Sequence, residues 1–278
     1  MDFFGAYMNI KRIESRNNPT IKSITALRDR KARESERLFY FEGVHLLEEY
    51  LRAGYRPKFL FLREDVTDKY LSLAKKAECE IYEVTESVYS KLSEEKAPQG
   101  IFTVSELLPN LHYARNENEL EQMAGELNGN SIMLVDMQDN GNVGTVIRTS
   151  AALDCKVLLC GNCADVYSPK TARATMGALF TNDIYICHDT LKAIAALRNK
   201  QIRVIASALD ERAQKLGEYE INENDCFVVG NEGKGLPQTV IEKCDMTCFI
   251  PMTAKTESLN AASAASVLLW EAKRGKLK

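Results

Sequence analysis

The chain has 278 residues, 45% of them hydrophobic and 27% charged, and its net charge at pH 7 is −3. This length favours two domains of an ordinary globular protein, and no apolar run is long enough to span a bilayer. The acidic balance excludes nucleic-acid binding through overall charge, so such binding would need a local basic patch.

A basic stretch of this kind lies near the N-terminus. Residues 11–37 contain nine Lys or Arg and four acidic residues, and their apolar side chains recur at helical spacing. Asn18-Pro19 is a typical helix start, because proline is tolerated in the first turn. The residues before this stretch lack the basic start and long apolar region of a signal peptide. We therefore expect a basic, largely exposed helix here.

Strand-like and helix-like segments then alternate up to residue 104. The predicted strands cover 38–42, 58–63, 80–84 and 100–104, and the predicted helices cover 44–52, 66–76 and 86–92. This alternation is typical of a small parallel α/β domain, which we place at residues 10–105. Residues 106–130 are polar and end in turn residues, so they are predicted to be a linker with a helix near 117–127.

A second α/β domain is predicted over residues 131–278. Its strands are expected at 132–135, 156–159, 183–187, 203–206, 226–229 and around Phe249. Helices are expected at 143–153, 169–176, 191–199 and 238–243, with a last apolar helix opening at Ser258. Three polar loops in this domain each follow a strand.

The first loop and its helix read DNGNVGTVIR, residues 139–148. Asn142 is well placed as the helix N-cap, and Gly141 and Gly144 allow a ligand or another backbone to come close. Arg148 follows within two turns and needs an acid or a phosphate as partner. An ordinary surface salt bridge is the alternative for Arg148.

The second loop, residues 230–237, reads GNEGKGLP and directly follows the strand CFVV. Its glycines can turn backbone amides towards a ligand, but the spacing fits neither a Walker A loop nor a dinucleotide fingerprint. Glu232 is predicted to orient a ligand or a catalytic group. A tight turn with a solvated glutamate is the alternative.

The third stretch, residues 250–271, starts as a short strand and continues into an apolar helix. Ser258 and Asn260 supply a hydroxyl and an amide at the helix start, although Ser258 could be a plain N-cap. Because the three motifs follow parallel strands, they are expected at one edge of the sheet, where ligands bind in open α/β folds.

The eight cysteines indicate an intracellular protein. They occur at positions 79, 155, 160, 163, 187, 226, 244 and 248. Most lie in apolar runs and nothing points to secretion, so reduced, buried thiols in a cytoplasmic protein are expected. A four-cysteine zinc site from positions 160, 163, 244 and 248 is an alternative, but its second spacing is loose. We predict no metal site.

The order D-x-x-N-x-G-x-x-x-R, G-x-E-G-x-G and I-P-M followed by S-L-N resembles the SpoU (TrmH-type) family of RNA ribose 2′-O-methyltransferases, in the SPOUT class. The tract YSPK and the Arg and Gly after it, residues 167–177, also resemble that family. The N-terminal half is similar to the family's RNA substrate-binding domain at NPTIK, FYFEG and APQGIF. The resemblance covers nearly the whole chain.

This resemblance implies a parallel sheet with a trefoil knot, an exception to unknotted folds, in the C-terminal domain. It implies S-adenosyl-L-methionine as cofactor and a homodimer with the site near its interface. The implied substrate is RNA, with rRNA favoured, in the cytoplasm and without DNA or membrane partners. The implied cofactor-binding residues are Gly230, Ile250 and Leu259. The implied catalytic residues are Asn142, Arg148, Glu232, Ser258 and Asn260.

Within this family Arg148 is the candidate for activating the ribose hydroxyl. A free guanidinium stays protonated, so we favour Arg148 as a clamp on an RNA phosphate, held by Glu232 and Asn142, and leave a base role open. Ser258 and Asn260 would shape the pocket around ribose and cofactor. Asn140 departs from a common proline, and Ala261-Ala262 from a usual Val-Ser.

The basic N-terminal tract then has two interpretations, a phosphate-contacting surface or a solvated charged helix. In the first, the RNA-binding residues are Lys22, Arg28, Arg30, Lys31 and Arg33. Two functional alternatives also stay open. One is a tRNA 2′-O-methyltransferase, and the other is a catalytically silent RNA-binding or ribosome-assembly protein.

Overall fold

The computed structural model describes residues 10–253, 255 and 258–276. The chain divides into two compact units, Met1–Leu108 and Pro109–Lys278. No helix within the described ranges is long and apolar enough to cross a membrane.

The N-terminal unit is a five-stranded sheet with helices. Its elements are β1 (Ile10–Ile13), α1 (Pro19–Ala26), α2 (Arg30–Glu36), β2 (Leu38–Glu42), α3 (Val44–Arg52), β3 (Phe59–Arg63), α4 (Thr67–Ala77), β4 (Glu80–Val84), α5 (Glu86–Leu92) and β5 (Ile101–Glu106). The strand order is β1-β4-β3-β5-β2. Stacked aromatic pairs fill the core, such as Phe61 on Tyr82 with ring centroids 4.9 Å apart.

The sheet of this unit is mixed, which corrects the predicted parallel arrangement. β1, β4 and β3 are parallel, but β5 runs antiparallel to both β3 and β2. The reason lies in residues 93–100, which bring the chain back to the carboxyl ends of β2 and β3. There the Gly100 carbonyl accepts a hydrogen bond from Arg63 N at 2.9 Å, so β5 starts where those strands end.

The C-terminal unit is an eight-stranded sheet in which every pairing is parallel. Its strands are β6 (Leu111–Ala114), β7 (Ser131–Val135), β8 (Lys156–Cys160), β9 (Ile184–Cys187), β10 (Val204–Ser207), β11 (Gln214–Lys215), β12 (Cys226–Val229) and β13 (Met246–Phe249). They lie in the order β11-β13-β10-β12-β7-β8-β9-β6. The α-helices are α6 (Glu117–Glu126), α7 (Asn140–Ala152), α8 (Pro169–Ala174), α9 (Thr190–Asn199), α10 (Gln238–Ile241) and α11 (Ala261–Lys273). The predicted parallel α/β class of this region is confirmed. The trefoil knot stays a prediction.

The segment predicted as a linker, residues 106–130, is instead largely part of the second unit. β6 pairs with β9, and α6 covers the helix expected near 117–127. The apolar residues Leu111, Leu120 and Met123 are at most 7% exposed and join the core of this sheet. The high content of polar residues hid these spaced apolar positions, which is why the segment was predicted to be a linker.

Parallel strands place the loops after β7, β10, β12 and β13 at one edge of the sheet. In the strand order, β12 lies between β7 and β10, and β13 lies beyond β10. All three sequence motifs therefore meet at this edge, as the sequence predicts.

Candidate active site

Helix α7 begins at Asn140, and its N-cap is Asp139 rather than the predicted Asn142. The Asp139 carboxylate accepts a hydrogen bond from the backbone N–H of Asn142 at 2.8 Å. A cap is needed here because the first N–H groups of a helix have no partner within it. The Asn142 side chain is consequently not used as a cap and is available for contacts across the sheet edge.

Asn260, rather than Ser258, caps helix α11. Its side-chain oxygen accepts from Ala262 N at 2.9 Å and from Ser263 N at 3.1 Å. These two donors fix which end of the amide is oxygen, so the Asn260 NH₂ group must face the other way. It donates to the side-chain oxygen of Asn142 at 3.0 Å.

The same reasoning fixes the orientation of the Asn142 amide relative to Glu232. Because the Asn142 oxygen accepts from Asn260, its NH₂ group donates to Glu232 Oε1 at 3.0 Å. The carboxylate of Glu232 also accepts the backbone N–H of Asp139 at 3.1 Å and of Gln138 at 3.4 Å. The three side chains thus form one hydrogen-bonded chain that starts at the α11 cap and ends at the carboxylate of the glycine loop.

Glu232 carries a perturbed pKa. Partial burial would raise the pKa, but the hydrogen bonds from the Asn142 amide and from backbone N–H groups outweigh it and hold the pKa of Glu232 below its ordinary value. The side chain is therefore an ionised acceptor at neutral pH. Its contribution to folding is present above the pKa of an unfolded glutamate and is lost as the pH falls through the lowered folded pKa.

Asn231 organises the glycine loop, and sequence analysis missed it. Its side-chain oxygen accepts from Gly233 N at 3.0 Å and Lys234 N at 3.1 Å, and its NH₂ group donates to the Asp136 carbonyl at 2.9 Å. Its backbone also exchanges hydrogen bonds of 3.1 and 2.9 Å with Gly235. An asparagine two residues before a glycine is a known turn-former, and this was the available signal.

Asn140 has a structural role that its departure from the family pattern did not reveal. Its side-chain oxygen accepts from the hydroxyls of Ser168 at 2.9 Å and Thr171 at 2.8 Å. Gly144, one turn further along α7, lies so close to α8 that an added Cβ would be 2.5 Å from the Cβ of Ala174. The first turns of α7 are therefore held against the tract 167–177.

A cavity of about 310 Å³ opens beside this network. Its lining includes all three residues predicted to bind a cofactor, together with two of the predicted catalytic residues: Gly230, Ile250, Leu259, Glu232 and Ser258. Gly230 and Gly235 both line it and carry no side chain, so this wall is bare backbone. The two glycines are closely packed, because an added Cβ at Gly230 would lie 2.3 Å from the Gly235 carbonyl carbon. A cavity of this size, with apolar walls and a few polar groups, fits a small organic ligand.

Within one polypeptide, Arg148 lies apart from the hydrogen-bonded side chains of Asn260, Asn142 and Glu232. It lies six residues after Asn142, which is about 240° around the helix, so the two side chains leave from different faces. Arg148 is exposed, and within residues 10–253, 255 and 258–276 no hydrogen bond or ion pair involves it. Within one chain, Glu232 and Asn142 contact each other and Asn260 instead of Arg148, so their support of Arg148 stays a prediction.

The five residues predicted to bind RNA divide into two groups in the N-terminal unit. Arg33 is only 5% exposed and donates to the carbonyls of Leu27 and Arg28 at 2.7 and 2.9 Å, so it is structural. Arg28 donates to the Lys91 carbonyl at 3.0 Å and pairs with Glu94, and Arg30 pairs with Glu34. Lys22 and Lys31 are exposed and make no ion pair within the described ranges.

The cysteines are all free thiols. Cys160 and Cys187 lie on neighbouring strands with their sulfur atoms 3.3 Å apart, and both are buried. Within the described ranges, no group of three or more His, Cys, Asp or Glu could hold a metal ion. The four-cysteine zinc alternative therefore has no structural support.

Comparison with known proteins places the chain in a family. A family model described as the SpoU rRNA Methylase family matches residues 129–270, which include the whole network and cavity. The chain belongs to the SpoU rRNA methylase family. A second model, the MRM3-like substrate binding domain, matches residues 18–103. The family predicted from the motifs is confirmed, and so is the resemblance of the N-terminal half to a substrate-binding domain.

Relatives of this SpoU family chain extend over nearly its full length. The 23S rRNA (guanosine(2553)-2′-O)-methyltransferase RlmP of Bacillus subtilis is 30% identical over 94% of this chain and 98% of its own. The human mitochondrial rRNA methyltransferase 3 is 27% identical over 90% of this chain and 71% of its own. A crystal structure of an AdoMet-bound rRNA methyltransferase from Sinorhizobium meliloti has a TM-score of 0.81 and 28% identity, covering 97% of this chain and 99% of that one.

Proposed function

We propose that this protein transfers the methyl group of S-adenosyl-L-methionine to a ribose 2′-hydroxyl of ribosomal RNA. The observation that carries the proposal is the hydrogen-bonded chain Asn260–Asn142–Glu232 at the rim of a backbone-walled cavity. The printed activity of the Bacillus subtilis relative and the bound AdoMet of the Sinorhizobium meliloti protein support the substrate and the cofactor. Relatives that act on rRNA in bacteria also support a cytoplasmic enzyme of rRNA processing.

The residues of the cavity fit this cofactor. The bare wall at Gly230, with Ile250 and Leu259 on the same cavity, would hold it mainly through backbone groups. When bound, the sulfonium supplies an activated methyl group with a good leaving group. The protein must then position the ribose hydroxyl in line with that methyl group and help remove its proton.

Glu232 acts in this proposal by fixing Asn142, not by taking the proton. A carboxylate whose pKa is lowered is a poor proton acceptor at neutral pH. Its ionised oxygens instead hold the Asn142 amide, which Asn260 secures from the other side. Asn142 then presents its amide to the substrate ribose from a fixed position, with the Ser258 hydroxyl on the same cavity, so little reorganisation of Asn142 is required in the reaction.

Arg148 is proposed to clamp an RNA phosphate. An exposed guanidinium with no acidic partner among the described residues is available for a bidentate contact with phosphate oxygens. A guanidinium has hydrogen-bond donors and no acceptor, which suits a clamp and makes proton abstraction unfavourable.

A homodimer is the proposed assembly. Val267 and Trp270 lie one turn apart on α11 and are 38% and 55% exposed, which is unusual for such large apolar side chains. The same helix packs on α7, where Thr149 and Ser266 hydroxyls lie 3.2 Å apart. A second copy on this face would place the exposed Arg148 at the subunit boundary, close to a partner's site. Sedimentation of the full chain at twice 31.2 kDa would support the dimer, and a monomer would exclude it.

RNA affinity is expected to depend on Lys22 and Lys31. We expect the pair of changes Lys22→Glu and Lys31→Glu to weaken RNA binding about tenfold or more and to flatten its salt dependence, because fewer counterions are released. Filter binding across a salt series measures both effects. The matched control is Lys75→Glu with Lys76→Glu, the same charge change on α4. Equal losses of RNA affinity in both variants would show that the effect comes from overall charge, and they would reject a local contact surface.

The proposed reaction is tested with tritiated S-adenosyl-L-methionine and RNA purified from cells that lack the protein. Label is expected in rRNA, at a nucleotide that resists alkaline cleavage because its 2′-hydroxyl is methylated. Label in tRNA alone would support the tRNA alternative. RNA binding without any transfer, from protein that binds the cofactor, would support the silent RNA-binding alternative.

A further inference from the structure

Helix α8 lies alongside the first turns of α7. Asn140 in the first turn of α7 accepts hydrogen bonds from the hydroxyls of Ser168 and Thr171. One turn later, an added Cβ on Gly144 would lie 2.7 Å from the Thr171 carbonyl oxygen and 2.5 Å from the Cβ of Ala174. The contact thus advances along both helices together, so the start of α8 is fixed beside the start of α7.

This packing places Lys170 next to the N-cap of α7. Thr171 is buried, whereas Lys170 is exposed. The Lys170 Nζ atom lies 3.9 Å from Asp139 Oδ2, and the other oxygen of that carboxylate accepts from Asn142 N at 2.8 Å. An ammonium group is therefore held close to the helix turn that carries Asn142.

The contact between Lys170 and Asp139 contributes little to stability. The two side chains are 63% and 48% exposed, and ion pairs at such exposed sites are weak. A distance of 3.9 Å is too long for a hydrogen bond, and within the described ranges the Lys170 ammonium donates none. Its three N–H donors are thus available to a ligand that lies beside Asn142.

A ribose placed at Asn142 brings a phosphate with it. In RNA, the ribose carbon next to the one that bears the 2′-hydroxyl carries the 3′-phosphate, so a negative charge lies close to every reacting hydroxyl. An exposed ammonium suits this phosphate, because lysine binds phosphate as a point charge. Arg148 does not take this place within one chain, since it lies six residues beyond Asn142 on another face of α7.

We propose that Lys170 binds the 3′-phosphate of the target ribose, at the site that contains Asn142 of the same chain. The inference rests on the proposed function, since it takes RNA as the substrate. It gives Lys170 a role in placing the ribose and none in moving the proton. The site then has a cation of its own in addition to the clamp proposed for Arg148.

Filter binding of rRNA to the full chain across a salt series tests the assignment. We expect Lys170→Ala to raise the Kd for rRNA about fivefold at low salt and to reduce the slope of log Kd against log salt by about one, the value for one phosphate contact. Lys170→Arg keeps the charge and should bind within about twofold of wild type. The Kd for S-adenosyl-L-methionine and the Tm should not change, because Lys170 is exposed and outside the cavity lining.

The matched control is Lys192→Ala on α9. It removes the same charge from a lysine side chain that is 55% exposed, but whose ammonium already pairs with Glu117 at 3.0 Å. Its Kd for rRNA and its salt slope should equal those of wild type.

A short rRNA fragment with one neutral linkage tests which phosphate Lys170 binds. The fragment contains the methylated nucleotide, with a methylphosphonate in place of its 3′-phosphate, and the reference fragment keeps the phosphate. Both carry 2′-deoxyribose at that nucleotide, so that no hydroxyl attacks the neutral linkage. The wild type should bind the neutral fragment more weakly than the reference, whereas Lys170→Ala should bind both alike.

Three results would overturn the inference while the proposed function stands. The first is wild-type rRNA affinity and salt slope in Lys170→Ala. The second is a lower Tm with an unchanged salt slope, which would show that Lys170 supports the Asp139 cap instead. The third is an equal loss from the neutral linkage in Lys170→Ala and wild type, which would place Lys170 away from that phosphate. A wild-type chain that methylates no RNA would reject the proposed function itself.

Discussion

Arg148→Ala is expected to lower kcat for methyl transfer about 100-fold or more, with little change in the affinity for S-adenosyl-L-methionine. The guanidinium is exposed and unpaired within the described ranges, so its removal leaves no buried charge and no cavity. The loss would come from a misplaced ribose, since small errors in positioning are costly in rate. Arg148→Lys should restore little of the lost kcat, because a single ammonium cannot make the bidentate contact with phosphate. Single-turnover transfer to rRNA measures the effect.

A mixed-protomer experiment sharpens this prediction. If Arg148 serves the partner's site, inactive Arg148→Ala and Asn142→Ala chains should regain part of the activity when mixed, because one site in each mixed dimer is intact. Arg115→Ala, which changes an exposed arginine next to β6, is the control and should keep full activity. Full activity of Arg148→Ala alone would reject the clamp.

Gly230→Ala is expected to abolish measurable binding of S-adenosyl-L-methionine. An added Cβ would lie 2.3 Å from the Gly235 carbonyl carbon, 2.4 Å from its oxygen and 2.5 Å from Leu236 N. These are backbone atoms, so the glycine loop itself would have to move, and the paired Asn231 and Gly235 would separate. Calorimetric titration measures the binding, and thermal unfolding should show a lower Tm because the clash strains the folded state.

Gly125→Ala on α6 supplies the control, because this glycine is outside the cavity lining. The nearest atom to its added Cβ is Lys200 Cε at 3.9 Å, an ordinary contact. This variant should bind the cofactor as wild type does. If Gly230→Ala also bound normally, the bare backbone wall would not be the place where the cofactor lies.

The meeting of the three motifs could be predicted from the sequence because it follows from strand direction. Loops after parallel strands share one edge, whatever the details of the side chains. The hydrogen-bonded chain could not be predicted, because it depends on which residue caps each helix. With Asp139 as the cap of α7, Asn142 turns to Glu232, and with Asn260 as the cap of α11, its amide turns to Asn142.

Charge counting was least informative in the basic tract. The excess of Lys and Arg was real, but a count does not show which cations already have partners. Arg33 is buried against carbonyl oxygens at the end of α1, and Arg28 and Arg30 face acids. Only the three-dimensional arrangement separates these partnered arginines from Lys22 and Lys31, which make no ion pair within the described ranges.

The hydrogen bonds that join Asn260, Asn142 and Glu232 also make the activity of this unit depend on its folding. These two side-chain hydrogen bonds join residues 118 and 90 positions apart in the sequence. Contacts of such separation cost more loop-closure entropy than local ones, so topologies rich in them fold more slowly. Whenever α11 detaches from the sheet edge, Asn142 loses the partner that fixes its amide. We therefore expect molecules with a detached α11 to be inactive, even where the rest of the unit is folded.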